Sequence, residues 1–305
     1  MGVGYHRLQA AMEYLMSYGW AILVIGIVLG VMYSLGIFTP SYFAPKAPPG
    51  SCQVFRPSGP ESIFEINLEG DCSNEVPEYV AQFNSNQSNV TTLLAGSPNI
   101  SSSDGGSITF LAWASLIPTD HNQVLFQYAS GSSYYPNIRM LSDKNCGGTA
   151  TDMLPIYYGS SSTFVDDCLT QITEGTFMFY AIELNGTELT GYDIYNNHIT
   201  PYAFAIPIGS NVITSDARIY IGGGPGAIDW KGFISNVQVY NTTLSSNEIL
   251  AQYVAGLGGD PIDLKNLIAW YPLNGNANDY SGNGNNGVPL NVTYMAGWYN
   301  SYSSP

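Results

Sequence analysis

Residues 19–38 are an apolar run in which the only Ser, Thr, Asn, Gln or charged residue is Ser34. At a rise of about 1.5 Å per residue, roughly 20 apolar residues in a helix span the hydrocarbon core of a bilayer. Glu13 stands at the mouth of the run, four positions after Gln9, with Arg7 just ahead. An ionised carboxylate at the edge of such a helix is costly unless it finds a partner. Glu13 is therefore the most informative residue of the segment. The apolar run reads as a cleaved secretory signal, an uncleaved single-span anchor, or a processed helix whose Glu13 has work to do. The first lacks an A-x-A site ahead of a polar mature start and has too long an apolar core. For the second, one Arg before the run and Lys46 after it leave the positive-inside balance nearly undecided.

The third reading brings in a resemblance. QAAMEYLMSYGWAILVIGIVLG, residues 9–30, resembles archaeal type IV pilin-like proteins with a class III signal peptide. The resemblance implies a leader of residues 1–8, cut by a prepilin peptidase between Leu8 and Gln9, and a filament-core helix over residues 9–38. It places Glu13 at the fifth position of the mature chain. Leu8 is a departure, since the family more often has a small residue there. Cleavage would create an α-amino group on Gln9. Glu13 of a neighbouring subunit could then neutralise it, replacing two unpaired charges by a pair. Gly19, Gly26, Gly30 and Gly36 offer flat surfaces for close helix approach, Gly26 and Gly30 as a GxxxG pair. The prolines of TPSYFAPKAPPGS end the helix and make residues 39–50 an extended linker.

Beyond the linker the composition changes. The whole chain of 305 residues carries 33 Gly and 23 Tyr and a net charge of −15. Short strands joined by tight turns fit that profile. A chain this acidic, without a basic patch, is not expected to bind nucleic acid. Cys52, Cys72, Cys146 and Cys168 all follow the apolar run and form no CxxC pair. Bridges Cys52–Cys72 and Cys146–Cys168 would each close a loop of about 20 residues and contribute about 3 kcal/mol. They imply an oxidising, extracytoplasmic compartment; the alternative is four buried thiols. Six N-x-S/T triplets, at Asn86, Asn89, Asn99, Asn185, Asn241 and Asn291, agree with the same side of the membrane.

Strand-like runs occur at 78–84, 107–116, 123–130, 176–184, 217–223 and 234–241, each bounded by Gly, Asn, Ser or Pro. They predict a mainly β fold, an antiparallel sandwich over residues 51–305. One helix is expected in LSSNEILAQYVAGLG, with Ser245 or Ser246 as cap, Glu248 in the first turn and Gly256 or Gly258 as stop. KGFISNVQVYNTTLSSNEILAQY (231–253), ITFLAWASL (108–116) and RIYIGGG (218–224) resemble the LamG-like jelly roll of the concanavalin A-like class. LIAWYPLNGNANDYSGNGNNG (267–287) resembles the block that opens that domain, but here it follows the closing helix. Segment 267–305 is expected to fold back as a permuted edge of its own sandwich. Donation to a neighbouring subunit and a truncated second repeat are the alternatives.

Candidate chemistry is sparse. Asn276, Asn278, Asp279 and Ser281, with Asn283 and Asn285, gather oxygen ligands on a turn and suit Ca2+; alternatively Asn and Gly there only supply turn conformations. EINLEGD (65–71) faintly resembles a glycosidase strand, but Asn67 replaces its middle Asp and the spacing of Glu65 and Glu69 is wrong. His6, His121 and His198 are scattered. Tyr134, Tyr135, Tyr157, Tyr158 and Trp230 are candidates for stacking on sugars by loop position alone; ordinary strand packing is the equal alternative for each. The expectation is a non-enzymatic cell-surface protein displayed for adhesion or for carbohydrate or protein recognition, with the membrane and copies of itself or related pilins as partners and a glycan as a candidate ligand. The competing expectations are a membrane-tethered binding protein that never polymerises and, more remotely, a surface glycosidase.

Overall fold

The computed structural model of the protein describes residues 21–30, 54–55, 66–67, 77–84, 87–93, 95, 106–117, 122–130, 137–143, 152–160, 163–166, 173–186, 188–195, 198–205, 217–225, 229–296, 298 and 302. The chain divides into two compact units, one holding a helix at residues 21–30 (α1) and the other holding every described strand.

The second unit is the expected antiparallel β-sandwich. A small sheet pairs β1 (Val54–Phe55) with β2 (Ile66–Asn67). An eight-stranded sheet is built from β3 (Val80–Asn84), β5 (Ser107–Leu116), β10 (Met178–Asn185), β11 (Glu188–Tyr195), β12 (His198–Ala205), β14 (Lys231–Tyr240), β15 (Leu267–Tyr271) and β17 (Thr293–Met295). Its order is β12-β11-β10-β5-β14-β3-β17, with β15 also on β14. A seven-stranded sheet adds β4 (Asn89–Leu93), β6 (Val124–Ser130), β7 (Asn137–Asp143), β8 (Asp152–Ser160), β9 (Thr163–Asp166), β13 (Ala217–Ile221) and β16 (Val288–Leu290). Its order is β16-β4-β13-β6-β7-β8-β9.

The two large sheets meet through aromatic side chains: the Phe110 ring lies 5.2 Å from Phe126 and 5.5 Å from Tyr128. The eight-stranded sheet is covered on its other face as well, which explains why β5 reads as a continuous apolar run rather than an alternation. Phe110, Ala112 and Ala114 enter the core between the sheets, whereas Leu111 and Trp113 enter a second, outer core. Helix α2 (Ser246–Ala255) and the chain end cover that outer face, with Trp113 stacked on Tyr253 at 5.9 Å and edge-on to Tyr302 at 5.4 Å. The helix starts where its sequence says it should: Ser245 and Glu248 form a reciprocal capping box, and Gly256 ends it.

Strand β14 changes parity halfway. Ile234 faces the core between the sheets, and so do Val237 and Val239. A bulge at Asn236, with φ of 49°, makes the switch. Its buried amide satisfies several groups at once. Nδ2 donates to the Gly259 carbonyl (2.8 Å), and Oδ1 accepts from Trp270 Nε1 (2.8 Å) and Gln238 Nε2 (3.1 Å). The first half of β14 then pairs with β3 and the second half with β15, so the strands described between residues 267 and 295 lie against their own chain. β16 joins β4 and β17 joins β3.

Glu183, buried on β10, ties this sheet to the approach of α2. Its carboxylate accepts from the Tyr192 hydroxyl and from the Leu244 N–H (2.5 Å), with Thr109 Oγ 3.0 Å away. Burial pushes it above the usual carboxylate range, against the pull of those donors, and nearby Glu248 adds to the rise. A folded-state value above the unfolded one means that Glu183 favours the fold most at acid pH. That advantage fades as pH climbs from the ordinary carboxylate range through the raised value. Thermal unfolding of the wild type and of Glu183→Gln between pH 4 and 8 is expected to show it. The midpoint of the wild type should fall relative to the variant as pH rises, and a constant difference would contradict the assignment.

Candidate functional site

Helix α1 is apolar on every side. Its sequence is AILVIGIVLG and all ten residues are exposed, with Ile22 at 69 % and Ile25 and Ile27 at 58 %. An all-round apolar helix is normally buried in protein or lipid. Among the described residues no helix is long and apolar enough to cross a membrane. Leu8, Gln9 and Glu13, the proposed processing and assembly residues, lie outside the described residues. So do Cys52, Cys72, Cys146, Cys168, Asn86, Asn99, Glu65, Glu69, Tyr134 and Tyr135.

The Asn-rich loop after β15 is organised around Asp279. Its Oδ1 accepts the backbone N–H groups of Trp270 and Ser281, both at 2.9 Å. Its Oδ2 accepts the Asn285 N–H at 2.8 Å and Ser281 Oγ at 2.9 Å. Asn276 Oδ1 accepts the Asn278 N–H at 2.9 Å. Asn285 reaches across to the other sheet's edge, accepting the Ala95 N–H at 2.8 Å and donating to the Ile268 carbonyl at 2.6 Å. The oxygens of Asn276, Asn278, Asp279 and Ser281 thus share one loop, and a calcium ion there would compete with four donors for Asp279. Among the described residues no three of His, Cys, Asp and Glu gather into a metal-binding group.

Four of the six candidate asparagines are among the described residues. Asn185, Asn241 and Asn291 are exposed, whereas Asn89 is half-buried in β4 and its Oδ1 accepts the hydroxyl of Thr91, the third residue of its own triplet, at 2.9 Å. Of the aromatic residues considered for sugar stacking, Tyr157 and Tyr158 lie on β8 opposite Ile138 and Asn137. Trp230 requires a correction. Its side chain is fully buried and Nε1 donates to the Ser115 carbonyl at 3.2 Å, so it fills the core and presents no surface to a sugar. The packing alternative holds for Trp230, because the side chain turns inward as the chain enters β14.

The outer face of the seven-stranded sheet holds a polar row that the sequence did not single out. Phe126 and Tyr128 face the core between the sheets, so Gln127 lies on the opposite face. Register places Tyr220 of β13 on one side of Gln127 and Arg139 of β7 on the other. All three are buried. Residues 222–225, the run Gly-Gly-Gly-Pro, roof this row. They are held by the Gly222 N–H on the Leu125 carbonyl (2.7 Å) and by Arg139 Nη2 on the Pro225 carbonyl (2.9 Å). Gly224 has φ of +149° and sits so close that a Cβ there would lie 2.5 Å from Gln127 Oε1. Among the described residues, Gln127 is the one carboxamide whose buried nitrogen and buried oxygen both lack hydrogen-bond partners; the hydroxyls of Ser115, Tyr180 and Tyr294 are also buried without one. A buried unsatisfied polar group costs about 1–3 kcal/mol. The only sequence signal was a glutamine in the otherwise apolar run VLFQYA, which propensity cannot distinguish from an ordinary strand residue.

No family model matches the chain, and no curated protein sequence matches it. Several solved structures are similar in fold. A Bacteroides ovatus protein proposed to bind carbohydrate is 14 % identical over 72 % of this chain and 60 % of its own, with a TM-score of 0.48. Domain 4 of an extracellular arabinanase from Geobacillus stearothermophilus, solved with arabinotriose, is 14 % identical over 56 % of this chain and 75 % of its own, with a TM-score of 0.42. Domains LG4–5 of the mouse laminin alpha1 chain are 12 % identical over 67 % of this chain and 48 % of their own, with a TM-score of 0.39. The chain therefore spans about 60 % of the first of these structures.

Proposed function

We propose that the chain is a non-enzymatic, extracytoplasmic recognition module carried at a membrane by its N-terminal helix, with a glycan as the recognised partner. After removal of residues 1–8, the helix packs with those of other copies or related subunits into a filament. The observation that carries this reading is α1, ten apolar residues exposed on every side. Removing that surface from water requires lipid or neighbouring helices. Gln9 and Glu13 supply the registry: the new amine of one subunit meets the carboxylate of another. Extracytoplasmic display agrees with three exposed N-x-S/T asparagines on the sandwich.

Lipid alone would also cover α1, so a non-polymerising tether is the second reading. The N-terminus of the mature protein separates the two. A chain beginning at Gln9 supports assembly, and one beginning at Met1 or Gly2 supports the tether. Glu13→Ala is expected to abolish filaments seen by electron microscopy while the thermal unfolding midpoint of the sandwich stays put. Normal filaments from that variant would remove Glu13 from the mechanism.

A further inference from the structure

We propose that Gln127, flanked by Tyr220 and Arg139 beneath residues 222–225, is the floor of a saccharide-binding site. The site is closed in the unliganded protein. This rests on the reading of the sandwich as a glycan-recognition module and gives that module a location.

The warrant is the state of one side chain. Gln127 is fully buried and both its amide nitrogen and its amide oxygen lack partners. Buried polar groups in folded proteins are nearly all hydrogen-bonded, so an exception on a sheet face calls for a cause. A side chain of similar volume without the amide, such as Met, would fit position 127 at little cost in packing. The carboxamide has a use only when something brings it a donor and an acceptor together. Adjacent hydroxyls of a pyranose do this: one accepts from the Nε2 amide hydrogens and its neighbour donates to Oε1. Tyr220 and Arg139 stand on either side of that pair in the same row.

The roof is built to move. Three consecutive glycines, two of them at positive φ, precede Pro225, and one link from the row to the roof is Arg139 Nη2 on the Pro225 carbonyl at 2.9 Å. Glycine is needed at 224 because any side chain there would collide with the Gln127 amide. Lifting residues 223–225 uncovers Gln127 without unpairing β13, whose ladder ends at Ile221.

Titration calorimetry tests the site on the full-length chain in detergent, with mannohexaose, cellohexaose and oligogalacturonate as probes. At least one probe is expected to bind, and Gln127→Met is expected to weaken that binding at least tenfold. The same variant, without ligand, is expected to unfold at a higher temperature than the wild type, because it removes the unsatisfied amide. A merely structural glutamine would give the opposite shift. A lower midpoint, or unchanged affinity in Gln127→Met, would overturn the site while leaving glycan recognition standing. No binding of any probe by the wild type would overturn both.

Discussion

Asp279→Ala is expected to destabilise the sandwich by about 3–5 kcal/mol, an effect larger than that of most surface-loop substitutions. The carboxylate accepts three backbone N–H groups, from Trp270, Ser281 and Asn285, plus the Ser281 hydroxyl. Each hydrogen bond to a charged acceptor is worth more than a neutral one, and the freed N–H groups sit where water reaches them incompletely. The damage would spread beyond the loop. Trp270 belongs to β15 and Asn285 bridges to Ala95, so one carboxylate fixes how the loop joins both sheets. Denaturant unfolding of the two proteins measures the loss. The same loss in a calcium chelator would show that Asp279 acts through its own donors, whereas a loss confined to calcium-containing buffer would place the ion at the loop instead.

Gly232→Ala is expected to be worse, at about 4 kcal/mol or more, and to leave little folded protein at 37 °C. Gly232 has φ of +142°, a region that side chains avoid, and an added Cβ would lie 2.0 Å from the backbone oxygen of Ser115. The obstacle is main chain, so no rotamer change relieves it. β14 would have to part from β5 at the centre of the eight-stranded sheet, where Gly232 pairs with Leu116 on one side and Phe83 on the other. Circular dichroism and yield of soluble protein report the outcome. A variant as stable as the wild type would show that the two strands do not approach as closely as described.

These two sites also show what could be read in the chain before folding. The glycine of KGFISNVQVY and the Asp of NGNANDYSGNG both stand in patterns that resemble the LamG-like class, and their physical duties are close approach and donor collection. The strands buried on both faces, β5 and β10, were legible as apolar runs, and α2 was legible from Ser245, Glu248 and Gly256. β12, HITPYAFA, was not, because an edge strand exposed over most of its length carries no alternation. β7 was missed for a related reason: Arg139 and Asn137 break its apolar pattern, since they belong to the polar outer face. The bulge at Asn236 left no trace in periodicity, because the parity switch it causes resembles a plain apolar run. Gln127 became visible only through register. Its flanking residues, Tyr220 and Arg139, lie on different strands, and nothing in linear order relates them.

The pairing of β17 with β3 joins the last described strand to the first strand of its sheet, with Met295 opposite Val80. β16 does the same for the other sheet, since it closes on β4. Both edges therefore wait for residues 288–295. A ribosome making this protein from its N-terminus releases β3 and β4 long before their covers exist, and folding of the sandwich becomes a late, nearly single event. Until residues 288–295 arrive, β3 and β4 each present an open edge on which another chain's strand could pair.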